Sequence, residues 1–183
     1  MPYIIIGIIV VLLLVYFVTT YNGFIKLRNS VEEAFSTMDV YLKKRFDLIP
    51  NLVETVKGYA SHESETLAQV TAARTSITNA NGNDQRLKAE GELTNALSKL
   101  MMIQEAYPDL KADAQFLDLQ KQIRSMEDEI TNARKFYNGV VKVFNTKVES
   151  IPSNIVASLC KFKRQPLFEI EDAVQRENVS VKF

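Results

Sequence analysis

One cysteine, Cys160, and one histidine, His62, are all that this 183-residue chain offers to a disulfide or a soft metal. A lone thiol closes no internal bridge, and the pair cannot assemble a His/Cys zinc site, so no metal is expected and either redox compartment stays open. Charge of one sign is missing too. Lys and Arg total 22 and Asp and Glu total 22, which leaves no net field to draw the chain onto nucleic acid, and no basic stripe with interleaved aromatics runs through it. Phosphate loops, dinucleotide fingerprints and a nucleophile beside its base do not occur. His62-Glu63 begins like a zinc-protease helix, but the position one turn on is Thr66, and two imidazoles on one face are what that chemistry needs. The chain is therefore expected to be no enzyme and to carry no cofactor; carboxylates acting alone are the remaining catalytic option.

The first charged side chain is Lys26, and ahead of it Tyr3 to Thr20 form an unbroken apolar run of eighteen residues. At ~1.5 Å per residue such a helix is about 27 Å long, enough for a thin bilayer. Tyr3 and Tyr21 bracket it as interfacial aromatics do. A cleaved secretory signal would show a basic leader, a shorter core and small residues before its cut site; Met1-Pro2 and Val18-Thr19-Thr20 supply neither. The run is predicted to be a retained anchor, with a buried core helix as the bland alternative. Membrane lipid is thus the partner of residues 3–21. Lys26 and Arg28 follow it, and the positive-inside tendency puts the N-terminus outside and the body in the cytoplasm.

Five prolines and six glycines are few for this length, so the remainder is cut into long helices. The first, roughly Asn22 to Asp47, sets Phe24, Val31, Met38 and Phe35, Leu42, Ile49 in two seven-residue registers that merge into one stripe. Pro50 predicts a turn near Leu48-Ile49-Pro50, with Pro50 as a first helical residue; a mere kink would leave three helices in the body. A second helix through Leu52, Val56, Ala60, Leu67, Val70 and Ile77 would end near Asn79. Asp84 reads as the N-cap of a third, which carries Leu87, Leu93, Leu97 and Leu100 and stops at Tyr107-Pro108. The fourth, about Leu110 to Ser150, has the cleanest seam: Phe116, Leu119, Ile123, Met126, Ile130, Ala133, Tyr137, Val140 and Phe144. Ser153 can cap a short helix to about Cys160, and the last ten residues read as polar and loose.

The predicted fold is all-α: a transmembrane anchor over residues 1–21, an antiparallel up-and-down four-helix bundle over 22–150, and a short helix with an irregular tail over 151–183. In such a bundle the fourth helix returns toward the bilayer, which would bring Lys161, Phe162, Lys163 and Arg164 to the headgroups.

Arg28-Asn29, Asp39-Val40-Tyr41-Leu42-Lys43-Lys44-Arg45-Phe46-Asp47-Leu48-Ile49-Pro50-Asn51-Leu52-Val53, Val56-Lys57-Gly58-Tyr59-Ala60, His62-Glu63 and Ala73-Arg74 resemble the LemA family, and Tyr137-Asn138, Val141, Asn145, Ile151-Pro152-Ser153, Phe162 and Phe168-Glu169 resemble its closing segment. Ile151 stands where that family often has phenylalanine. The resemblance covers nearly the whole chain and implies an anchored four-helix bundle in a bacterial family without an established activity; a shared fold supplies no site.

Arg28, Arg45, Glu63 and Arg74 fall in register with the apolar stripes, where charge is costly unless paired, so they form a candidate structural polar network across helices. Asn138 and Asn145, seven apart and each after an aromatic, extend it by interhelical hydrogen bonding. The function this favours is a membrane-anchored interaction or scaffold protein that assembles with itself or with another membrane protein; the alternative is a module binding lipid or a small ligand.

Overall fold

A computed structural model describes residues 2–168, and these are helical nearly throughout, with no strand among them. Helix α1 spans Pro2–Tyr59, α2 Ser64–Asn79 and α3 Asn83–Met102; a 3-10 turn at Ile103–Glu105 and the short α4 (Pro108–Ala112) lead to α5 (Ala114–Glu149) and α6 (Ser153–Leu159). The apolar run and the amphipathic stretch after it are one helix. Positions 2–19 of α1 are exposed on every side, as a segment that is long and apolar enough to cross a membrane would be. Thr19, polar within the run, satisfies its hydroxyl by donating to the Val15 and Tyr16 carbonyls at 2.9 and 3.0 Å.

From Phe24 onward burial follows a stripe: Phe24, Val31, Ala34, Met38, Leu42, Arg45, Ile49, Leu52 and Val56 are all buried, at steps of three, four or seven. The turn expected at Pro50 does not occur; Pro50 lies inside α1. Its side is the exposed one, so the carbonyl that loses its donor one turn back faces the same way, where water can replace the missing bond, and the helix continues. The break comes instead at Ala60–Glu63, where the Glu63 amide closes a turn on the Ala60 carbonyl at 3.1 Å. His62 is exposed in that turn.

The chain divides into two compact units, one built on Met1–Tyr41 and Glu129–Leu167, the other on Leu42–Asp128. In the first, Phe24, Val31, Ala34 and Met38 of α1, Ile130, Tyr137, Val141 and Phe144 of α5, and Val156 and Ala157 of α6 are buried. Phe24 is its aromatic centre: Phe162 stacks on it at 4.8 Å and Phe144 meets it edge-on at 6.1 Å. In the second, Ile49, Leu52 and Val56 pack with Leu67 and Val70 of α2, Leu93, Leu97 and Leu100 of α3, and Phe116, Leu119 and Ile123 of α5. Helices α2 and α3 pack together across a three-residue turn that ends on Gly82, whose φ of 87° is readily open only to glycine.

Two expected caps are corrected. Helix α3 starts one residue before Asp84, which makes no capping bond and sits in the first turn where its charge suits the dipole. Ser153 is the first residue of α6, and its hydroxyl donates back to the Lys147 and Ser150 carbonyls at 2.7 and 2.9 Å, finishing α5 rather than opening α6. The cap that does form is Asp113, whose Oδ1 accepts from the Phe116 amide at 2.7 Å at the start of α5. The third helix stops at Met102, short of Tyr107. The loose tail expected over the last ten residues lies outside the described residues.

Candidate functional site

Among the described residues of the second unit, buried charge gathers on Arg45. Its place in the α1 stripe is a core place, and the side chain is 0% exposed. Both terminal nitrogens are used. Nη2 donates to the Glu90 carboxylate at 2.6 Å and to its backbone carbonyl at 3.3 Å; Nη1 donates to Glu127 at 2.5 Å and to the Thr94 hydroxyl at 2.7 Å. Glu90 on α3 is 1% exposed, and its second oxygen stands 4.0 Å from Arg86. Two guanidinium groups and two carboxylates therefore balance. One guanidinium alone against two carboxylates in a low-dielectric interior would leave net charge that is expensive to bury. The short bonds, the fork geometry and the balance are what make this interior position tenable for arginine.

The other candidate residues do not join this cluster. Arg28, expected in the stripe, is exposed, and its ion pair is local, with Glu32 one turn on at 3.8 Å. Glu63 accepts from the Tyr107 hydroxyl at 3.1 Å, which holds that phenol above its ordinary range. Arg74 lies over the Phe46 ring, 4.3 Å from its centre, a cation–π contact within the second unit. Glu90, Glu127 and Thr94 were the residues sequence reasoning missed. Glu90 and Thr94 do follow Leu87 and precede Leu97 at helical spacing, so a charge in the apolar register of α3 was there to be found.

In the first unit the polar side chains of α5 hold the chain that follows α6. Asn145 is buried and pairs with Gln165 in both directions, donating to its carbonyl at 2.9 Å and accepting from its amide at 2.8 Å. These bonds go to a segment without regular structure, where contacts between helices were expected. Asn138 is half-buried one position past Tyr137. Tyr137, fully buried, donates to the Pro166 carbonyl at 2.9 Å, and burial pushes its phenol up to about 12 from 10.0. Phe162 is half-buried against Phe24 and, at 5.9 Å, Tyr21; Lys161, Lys163 and Arg164 are exposed, and Arg164 pairs with Glu149 at 3.0 Å.

A family model, that of the LemA family, matches residues 34–183, most of the chain. The chain belongs to the LemA family. It is 25% identical to Protein LemA of Metamycoplasma hominis over 159 residues, covering 86% of this chain and 72% of that one. It is likewise 25% identical to Magnetosome protein MamQ 2 of Paramagnetospirillum magneticum, over 91% of this chain and 72% of the relative, and to Magnetosome protein MamQ of Magnetospirillum gryphiswaldense, over 89% and 71%. None of these is an enzyme name. Family membership and the apolar run of α1 make this LemA-family chain a membrane protein.

Two outcomes follow from this geometry. Arg45→Met should destabilise the protein by about 3–5 kcal/mol in chemical denaturation, because it takes the nearest cation from the buried Glu90 and leaves two carboxylates against Arg86 alone. Glu127→Gln, at a part-exposed position, should cost nearer ~1 kcal/mol; equal losses would contradict the ranking. Tyr137 keeps its proton more firmly folded than unfolded, so its contribution is complete below about pH 10 and is lost as pH rises toward about 12. Denaturation midpoints of the wild type should fall more steeply over that window than those of Tyr137→Phe.

Proposed function

We propose that this protein is a membrane-anchored interaction module: a single-pass anchor in α1 carrying an antiparallel four-helix bundle over residues 22–150, assembled from the body part of α1 with α2, α3 and α5, and a tail over 151–183. Short connections between four long amphipathic helices support the bundle. The observation that carries the interaction role is a second seam on α5. Phe136 and Val143 are exposed large hydrophobics two turns apart, with Val140 half-buried between them, while Tyr137, Val141 and Phe144 on the same helix are buried. An i, i+4, i+7 apolar strip is what a helix presents to another helix. A second copy of the chain is the partner it fits, each anchor holding its strip at the same height above the bilayer.

The cytoplasm is the proposed side for the body. Lys26 and Arg28 support it, and the exposed Lys161 and Lys163, one residue either side of a phenylalanine that touches Tyr21, add to the positive charge beside the end of the span. The second reading, a small-ligand module, has one feature in its favour: a cleft of about 490 Å³ in the second unit, lined by Lys44, Asp47, Leu48, Lys121 and Met126 among others. A crystal of the protein in which that cleft is closed or dry removes this reading.

Both parts of the proposal meet in one experiment. In intact cells a membrane-permeant crosslinker should capture a homo-oligomer that an impermeant reagent does not, and Phe136→Ser with Val143→Ser should abolish the product while helical circular dichroism is unchanged. A monodisperse monomer that captures no membrane protein would refute assembly; capture by the impermeant reagent would reverse the side.

A further inference from the structure

Thr20 is the first buried position of α1. The body therefore begins to cover the helix where the apolar run ends, and whatever does the covering lies at the lipid–water boundary. Four contacts within the first unit fall on Tyr21 and Phe24, directly after Thr20. Phe162 stacks on Phe24 and tilts against Tyr21; Phe144 meets Phe24 edge-on; and the Lys147 ammonium sits 4.9 Å from the centre of the Phe24 ring, so close to Gly23 that a methyl group there would clash with Nζ. The last turn of α5, α6 and residues 160–164 thus gather around the exit of the span.

Helix α6 has two different faces. Val156 and Ala157 are buried, whereas Ile155 is 59% and Leu159 69% exposed, one turn apart, and Ile151, one turn earlier in sequence, is 84% exposed. At ~100° per residue Ile155 and Leu159 lie about 40° apart on one side of α6, and Ile151 stands in the turn just before the helix. Single exposed hydrophobics need no explanation, but three large ones in a row beside a membrane span do. Directly after them come Lys161, at a φ of 58°, and Lys163, both exposed.

We propose that Ile151, Ile155 and Leu159 insert at the headgroup–acyl boundary of the bilayer that α1 crosses, while Lys161 and Lys163 meet the headgroups of anionic lipid, so that α6 is a second, monotopic membrane contact. The proposal rests on α1 being inserted. Once it is, docking of α6 is intramolecular, so even a small apolar area suffices without a further association cost. The clamp of Tyr137 on Pro166 and Asn145 on Gln165 then has a purpose, since it fixes the segment that carries the lysines. Two points of contact set the rotation of the first unit about the span, which one helix alone would leave free.

The test uses the full-length chain in lipid nanodiscs, with Cys160→Ser and single nitroxide labels at positions 11, 117, 155 and 159. Power saturation compares collision with oxygen, which concentrates in lipid, against a water-soluble nickel chelate. Label 11 should be strongly oxygen-favoured, labels 155 and 159 oxygen-favoured but shallower, and label 117 nickel-favoured. Labels 155 and 159 as nickel-accessible as 117, with 11 still in lipid, would overturn the second contact and leave the anchor standing; nickel access at 11 would sink the anchor itself. Shielding of 155 and 159 from both reagents would mean protein covers them, which also overturns the proposal. Lys161→Gln with Lys163→Gln should weaken the oxygen preference at 155 in anionic bilayers and not in zwitterionic ones; no difference would refute the contact with anionic headgroups.

Discussion

A helix that is apolar on every face is unstable in water, and a helix that is apolar on one stripe is stable only against a partner. Helix α1 is the first kind to Thr19 and the second kind from Phe24, with no interruption of its backbone between them. This single constraint orders the rest. Within the first unit the unbroken helix transmits the orientation of the apolar segment to Phe24, Val31, Ala34 and Met38, and these fix which face of α5 is met. Flexible linkers uncouple an anchor from its domain; a continuous helix couples them.

Arg45 is the costliest point of that stripe. Placed where leucine would pack, it forces carboxylates, a hydroxyl and a backbone carbonyl to converge on it from α3 and α5. A core in which Arg45 and its carboxylate partners were all replaced together by apolar side chains of similar size would be at least as stable. What the arginine adds is discrimination: a shifted register would leave the guanidinium buried with nothing to bind, whereas a leucine seam tolerates slips of a heptad. The same logic accounts for Asn145 and Tyr137, which hold one irregular segment through groups of fixed geometry.

Hydrophobic spacing made most of the architecture legible before any coordinates. The anchor, the α5 seam from Phe116 to Phe144 and the stripe from Phe24 to Ile49 were readable because burial at every third or fourth residue leaves a period in the sequence. Pro50 misled, because its effect depends on which side of the helix it occupies, and that side is set by packing. The break at Ala60–Glu63 carries neither proline nor glycine and left no mark. Ser153 and Asp84 have the chemistry of caps, but the helices begin one residue too early for Ser153 and two too early for Asp84. Among the candidate polar residues, Arg45 was visible as a charge in an apolar register; its partners Glu90 and Glu127 lie 45 and 82 residues on, at separations over which sequence spacing says nothing. Asn145 was recognisable as a polar residue beside the seam, yet its partner sits in an irregular segment that has no period to read.

The account depends most on the absence of a hinge between span and body. Nitroxides at the exposed positions Val18 and Val40, on the full chain in lipid nanodiscs with the native thiol replaced, measure it by pulsed dipolar spectroscopy. Twenty-two residues at ~1.5 Å each give one narrow distance distribution centred at about 33 Å. A broad distribution, or one displaced to much shorter distances, would contradict a continuous α1 and with it the coupling of membrane segment to helical body.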